Sequence, residues 1–227
     1  MRYPQFACAL LMSCLPLSAL AADLILVRHG NSEHNAANEY NSNPKHPNYR
    51  VSNLTALGQE QARKAAQKLL KAGYSDDQIH AVYVSPLPRT QETAMLMAET
   101  GLFHPSKIII DERLIEVRAG DREGLSTDIF PGDHQLRPDA AMYNGETNDD
   151  VKHRVMSLYD SIAAQSPDKH VVFVTHGMAT RELTGTLTLQ PIHLETAESM
   201  ILPIKKRHGG HTYHAEANTT ETANPQG

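Results

Sequence analysis

Leu24-Ile25-Leu26-Val27 is an unbroken apolar quartet that stops at Arg28, His29 and Gly30. An apolar run this short, without polar alternation, is the pattern of a strand covered on both faces. The same plan recurs at Val171-Val172-Phe173-Val174, which ends in Thr175-His176-Gly177. Ile79 to Val84 reads as a second strand in chain order and Ile108-Ile109-Ile110 as a third, also buried. Helical periodicity lies between them. Leu54 to Gly58 leads into a helix over Gln59 to Lys71, with Ala62, Ala65, Ala66, Leu69 and Leu70 on one face and Gly73 as its stop. Pro88 opens a helix from about Arg89 to Thr100, since its missing N–H needs no partner there. Val151, Val155, Leu158 and Ile162 form the buried stripe of a later helix, capped by Thr147 or Asn148, with Asp149 and Asp150 in its first turn. A last helix runs from Met178 to about Leu187. Ser199 to Pro203 and Thr212 to His214 read as two edge strands joined around Gly209-Gly210.

The polar stretches are equally informative. Asn31 to Tyr49, rich in Asn and broken by Pro44 and Pro47, reads as an irregular loop with a helical turn near Glu33 to Asn38. Arg113 to Gly124 is a charged, glycine-punctuated loop, and Ser126 to Asn148 a lid or insertion. Strands alternating with helices predict an α/β domain of three layers, with a mostly parallel central sheet and helices on both faces. The 227 residues suffice for one core, and no internal repeat or second domain is visible. From Glu216 onward the Thr-, Asn- and Ala-rich tail is expected to be disordered.

Residues 1–21 stand apart. Arg2, the apolar run Phe6 to Leu20 and the small-x-small Ala19-Leu20-Ala21 read as a secretory signal peptide cleaved near Ala21, too short to span a membrane. Leu11-Met12-Ser13-Cys14 loosely resembles a lipoprotein box, but Met12 and the short preceding run speak against lipidation of Cys14. Cleavage would remove Cys8 and Cys14, both of the cysteines, leaving an exported, periplasmic or secreted domain held by its core alone. A formal charge of −5 with dispersed Lys and Arg excludes a nucleic-acid binder's basic stripe. Thirteen histidines raise the question of metal. His208, His211 and His214 step by three, but in a strand residues three apart face opposite sides, so no metal site is expected there.

The candidate chemistry sits at strand ends, where ligands of open α/β sheets bind. Arg28 and His29 can bind a phosphate dianion and attack it, provided one imidazole nitrogen is bare and the other is held by an acceptor. Arg89, opening a helix after a strand, is a second guanidinium for the same anion. His176 and the N–H of Gly177 arrive from the second His-Gly segment. Glu116 is the candidate proton donor to a leaving alkoxide, with Glu123 and Asp121 as nearby rivals.

Six ordered segments resemble the histidine phosphatase superfamily, the phosphoglycerate-mutase-like proteins, from about Leu24 to Leu187. They are Arg28-His29-Gly30 with Ser32 and Asn35; Leu54-Thr55-x-x-Gly58-x-x-Gln61-Ala62; Ser85-Pro86-Leu87-x-Arg89-Thr90-x-x-Thr93-Ala94; Leu114-x-Glu116 with Gly120-x-x-Glu123-Gly124; Gly145-Glu146-Thr147-x-x-Asp150; and Thr175-His176-Gly177. The resemblance implies a phosphoglycerate-mutase-like fold over residues 22–215. It implies His29 as the nucleophile that becomes a phosphohistidine, and Arg28, Arg89, His176 and Asn35 as ligands of the phosphoryl group. It implies Glu116 as proton donor, and neither cofactor nor metal. Asn31 stands where many relatives carry Glu. Only 60 positions separate Glu116 from His176, and mutases of the family carry a longer insertion there. The expected activity is therefore hydrolysis of a small phosphorylated substrate. A mutase, a protein-phosphohistidine phosphatase and a non-catalytic periplasmic binding protein remain as alternatives, and an oligomer is compatible with the edge strands.

Overall fold

The computed structural model describes residues 22–129, 139–165 and 168–205. Five strands form one sheet: β1 (Asp23–Arg28), β2 (Ile79–Val84), β3 (Ile108–Ile110), β4 (His170–Thr175) and β5 (Ser199–Pro203), in the order β3-β2-β4-β1-β5. The first four are parallel. β5 runs antiparallel along β1, with Ile201 opposite Ile25. β1 and β4 pair in register, Leu24 with Val171 through Arg28 with Thr175. The carboxyl ends of β1, β2 and β4 therefore open on one edge.

The helices are α1 (Glu33–Ala36), α2 (Ala56–Lys71), α3 (Pro88–Glu99), α4 (Asn148–Ala164) and α5 (Gly177–Thr188). Strand alternation sorts the core into two layers. Leu24, Leu26, Val171 and Phe173 pack with Val151, Val155, Leu158 and Ile162 of α4 and with Ala179 and Leu183 of α5. Ile25, Val27, Val172 and Val174 face the other way, onto Ala66 and Leu69 of α2 and Ala94 and Met97 of α3. This is the three-layer α/β arrangement expected. The stripe read for α4 is buried in full, and Thr147 is its cap, accepting from Asp150 N. α2 begins at Ala56 because the Thr55 side chain accepts from Gly58 N.

Two readings need adjustment. β3 is not a buried strand. It lies at the sheet edge with β2 as its one neighbour, and Ile109 and Ile110 are 43% and 47% exposed. Hydrophobicity alone does not separate an edge from a centre, because order in the sheet is set by connections. The loop over 113–124 also carries structure: one 3-10 turn at Glu112–Leu114 extends into it and a second lies at Gly120–Arg122. The readings of residues 1–21, of Thr212 to His214 and of the tail lie outside the described residues, as does the middle of the lid at 130–138. The flanks of the lid form 3-10 turns at Thr127–Ile129 and Ala140–Tyr143.

One backbone position before β5 is strained. Ala197 has φ 59° while its N–H donates to both Arg28 O and His29 O. The left-handed region costs a residue with a Cβ roughly 1–2 kcal/mol that glycine escapes. Ala197→Gly is expected to raise stability by about 0.5–1 kcal/mol, net of the added freedom of the unfolded chain. A urea titration checks this; an unchanged or lower midpoint refutes it.

Candidate active site

β1 ends by handing His29 to the sheet edge, and the His29 N–H donates to Thr175 O, extending the β1–β4 ladder by one rung. The two imidazoles that follow the paired strands lie with ring centroids 5.0 Å apart. Both are buried. His29 Nδ1 lies 2.7 Å from Gly30 O. A carbonyl only accepts, so Nδ1 carries the proton and Nε2 presents its lone pair. Arg89 Nε donates to that Nε2 at 3.3 Å. One ring nitrogen is thus held by an acceptor and the other is unprotonated. Gly30 is required at this point because an added Cβ would run into Gly58 O, where the start of α2 passes beside the loop.

Arg89 is wholly buried in the first turn of α3. Its terminal nitrogens donate to Asn41 Oδ1 at 3.0 Å and to Asn41 O at 2.7 Å. Asn41 is placed by the loop that Glu123 pins: the buried Glu123 carboxylate accepts from Ser42 N (2.7 Å), Ser42 Oγ (2.8 Å) and Asn43 N (3.1 Å). Glu123 is thereby removed as a rival acid. Asp121 is too, since it accepts from Asn144 Nδ2 at 2.6 Å on the exposed lid.

Glu116 remains, and it is in position. A Cβ built on Gly177 would lie 3.7 Å from Arg28 Cζ and 3.8 Å from Glu116 Oε2, so both groups flank the first residue of α5. Glu116 Oε1 accepts from Val117 N at 2.9 Å and Met178 N at 3.2 Å. The acid loop is held from behind by Arg154, paired through two nitrogens with Glu146 (2.7 and 3.0 Å) and donating to Arg113 O at 2.9 Å. Thr175 Oγ1 ties Leu114 O to the end of β4 at 2.7 Å.

Arg28 Nε and His176 Nδ1 are buried and have no hydrogen-bond partner among the described residues. Arg28 spends one terminal nitrogen on Leu194 O (2.7 Å) and His193 Nε2 (3.3 Å). His176 Nε2 meets Ser85 Oγ at 2.7 Å. Ser85 Oγ also accepts from Leu87 N at 3.4 Å. Unpaired buried polar atoms are costly and uncommon. An Arg28 N–H and an imidazole nitrogen left without partners near a buried guanidinium suit a receptor for an anion.

Burial and the neighbouring cations push the His29 and His176 pKa values well below the ordinary range, and His34 down to about 2. Burial, with a smaller push from the Arg28 charge, lowers Arg89 to about 10, and it stays charged. The site thus combines cationic guanidinium with neutral imidazole.

His29, Arg28, Arg89, His176, Gly177 and Glu116 come together as the sequence predicts. Asn35 lies in α1, its amide nitrogen 3.1 Å from His34 Nε2. His34 and Asn41 escaped the sequence reading, and Ser85 was read as part of the segment that carries Arg89 without a role of its own. Asn41 carries no periodic signal, whereas His34 lies inside the first motif and its ring is 5.8 Å from that of His29.

The model of the histidine phosphatase superfamily (branch 1) matches residues 24–208. The chain belongs to this superfamily. A probable phosphoglycerate mutase GpmB of Yersinia enterocolitica is 30% identical over 181 residues, 76% of this chain and 77% of that protein. Its counterpart in Serratia proteamaculans is 31% identical over 178 residues, 75% and 76% of the two chains. Among solved structures, the mycobacterial glucosyl-3-phosphoglycerate phosphatase complexed with VO3 is similar with a TM-score of 0.64 and 28% identity, over 80% of this chain and 92% of that one. A structure titled mycobacterial hydrolase 1 gives 0.65 and 26%, over 81% and 89%.

The three depressed histidines link stability to pH. Each binds a proton in the unfolded chain below about pH 6.5 but not in the fold, so stability falls as pH drops through that value. Each is expected to contribute a slope approaching 1.4 kcal/mol per pH unit below it. Denaturant titrations from pH 7 to pH 5 check this. His34→Gln should flatten the slope; an unchanged slope refutes the assignment.

Proposed function

We propose that this protein is an exported phosphomonoesterase that passes a phosphoryl group from a small phosphate ester to His29 and then to water, without a metal. The observation that carries the reading is the unprotonated Nε2 of His29, oriented through Gly30 O and met by the Arg89 Nε–H at 3.3 Å. Arg28, Arg89, His176 Nδ1 and Asn35 would hold the equatorial oxygens, supplying in fixed donors the positive charge that stabilises a transferring phosphoryl group. The guanidinium groups make a metal unnecessary for that charge.

In the first step His29 Nε2 attacks phosphorus in line and the P–O bond to the alcohol breaks. The departing oxygen takes a proton from Glu116. In the second step water attacks the phosphohistidine, its proton returns to the Glu116 carboxylate, the N–P bond breaks, and inorganic phosphate leaves. Hydrolysis is favoured over mutase chemistry by the short span from Glu116 to His176 and by the likeness to a phosphatase complexed with VO3. The reading of residues 1–21 as an export signal points the same way, since glycolytic intermediates are scarce outside the cytoplasm. The mutase reading is supported by the names of the sequence relatives.

An aryl phosphate assay is expected to show turnover unaffected by EDTA, and His29→Ala should lower kcat on the order of 10⁴-fold or more. Acid quench should trap phosphate on His29; label on another residue, or an absolute metal requirement, overturns the proposal. Rapid interconversion of 3- and 2-phosphoglycerate would establish the mutase instead. Glu116→Gln should cost about 10²–10⁴ in kcat on an alkyl phosphate. The loss should be far smaller on p-nitrophenyl phosphate, whose leaving group needs little protonation. Equal losses on both would remove Glu116 from the proton-donor role.

A further inference from the structure

His34 is not among the groups to which the mechanism assigns a step, yet it belongs to a closed hydrogen-bonded circuit with Ser32 and Asn35. Ser32 N donates to Asn35 Oδ1 at 3.2 Å. A backbone N–H can only donate, so the orientation of the Asn35 amide is settled: the oxygen faces Ser32 and the nitrogen faces His34. Asn35 Nδ2 lies 3.1 Å from His34 Nε2, which must therefore accept. The proton of the neutral imidazole is then on Nδ1, which donates to Ser32 Oγ at 2.7 Å. The Ser32 hydroxyl in turn donates to Asn35 Oδ1 at 2.8 Å. The circuit closes: His34 to Ser32, Ser32 to Asn35, Asn35 back to His34. Around it every donor has an acceptor, except for one hydrogen left on Asn35 Nδ2. Bonds arranged head to tail in this way polarise one another and hold a single orientation.

We propose that His34 is a positioning residue, whose Nε2 fixes the Asn35 amide so that its remaining N–H is aimed at the transferring phosphoryl group. The inference rests on the phosphatase reading of the site, in which Asn35 is a phosphate donor. The surroundings keep His34 in the required state. Its Nδ1 lies 3.2 Å from Ser52 Oγ, and Ser52 Oγ also receives the His34 backbone N–H at 3.1 Å, so the ring is fixed on the side away from Asn35. Were Nε2 to gain a proton it would confront the Asn35 NH₂ donor to donor, and the amide would have to turn its oxygen toward the phosphate. Burial, and after it the Arg89 and Arg28 charges, oppose that protonation.

The test uses side chains that separate the two ring nitrogens. Glutamine places an acceptor oxygen near the position of Nε2, asparagine near that of Nδ1, and phenylalanine keeps the ring without either. Affinity for inorganic phosphate, measured as competitive inhibition and by calorimetry on the whole chain, should weaken about three- to tenfold in His34→Phe and His34→Asn, the size of one hydrogen bond. His34→Gln should stay within about twofold of wild type. Asn35→Ala should weaken binding by at least as much, and His34→Phe with Asn35→Ala together no further than Asn35→Ala alone, since His34 acts through Asn35. Additive losses, or equal loss in the Gln and Phe variants, would make His34 a packing residue and overturn the proposal. If Asn35→Ala leaves phosphate affinity unchanged there is no donor to position, and the proposal likewise falls. The phosphatase reading is judged separately by trapping on His29 in the wild-type protein.

Discussion

The His29 N–H bonds to the Thr175 carbonyl one rung past the last paired residues of β1 and β4, and the geometry of the site follows from that rung. A slip of one residue would turn every side chain of one strand to the opposite face. Here both faces forbid it. Leu24 and Leu26 belong to one layer with Val171 and Phe173, while Ile25 and Val27 belong to the other with Val172 and Val174. A register fixed by two cores delivers two imidazoles from positions far apart in sequence to a separation of 5.0 Å, with no loop needed to bring them together. Precision in the chemistry is inherited from packing in the sheet.

The treatment of buried charge shows what the site is for. Arg89 is fully buried, yet the partners of its terminal nitrogens are neutral oxygens of Asn41. Glu123 is buried close by, yet its partners are neutral donors of Ser42 and Asn43. Consecutive residues of one loop thus separate a cation from an anion that could have paired. Had they paired, the carboxylate would have occupied the position an incoming anion needs. Contrast Arg154 and Glu146, which pair directly through two nitrogens behind the acid loop, where only rigidity is required. A buried ion pair is neutral and self-sufficient; a buried cation on neutral acceptors retains its field for a ligand.

Much of this was readable in the chain because the relevant signals are local. Apolar quartets ending in His-Gly mark strand ends, and an α/β alternation places strand ends on one edge, so His29 and His176 could be paired without coordinates. Pro88 marked the start of the helix that carries Arg89. The choice of Glu116 over Glu123 and Asp121 could not be made from spacing by the residues alone. It depends on which carboxylate the loop at 41–43 and the lid at 144 consume, and those are contacts across the fold. Asn41 was invisible for the same reason, an asparagine among many in an irregular loop. β3 was misread as buried because three isoleucines look alike at an edge and in a centre, the difference lying in strand order.

The three imidazoles of the site also show how a chain divides tasks among identical side chains. His29 Nδ1–H donates to Gly30 O, which leaves Nε2 unprotonated. His176 has Ser85 Oγ at Nε2, which leaves Nδ1 as the nitrogen without a partner. His34 has both nitrogens engaged within its own circuit and faces no reacting atom directly. None of these assignments relies on a charge difference, since burial and the flanking guanidinium groups hold all three neutral. What each ring can do is set by which neighbour occupies which nitrogen. In the proposed hydrolysis, imidazoles that enter neutral are poor acids, so the proton for a leaving alcohol is assigned to a carboxyl group, and of the three carboxylates on the loop over 113–124 Glu116 is the one found beside Arg28 and Gly177. The neutrality of the histidines and the placement of Glu116 are therefore one requirement seen from two sides.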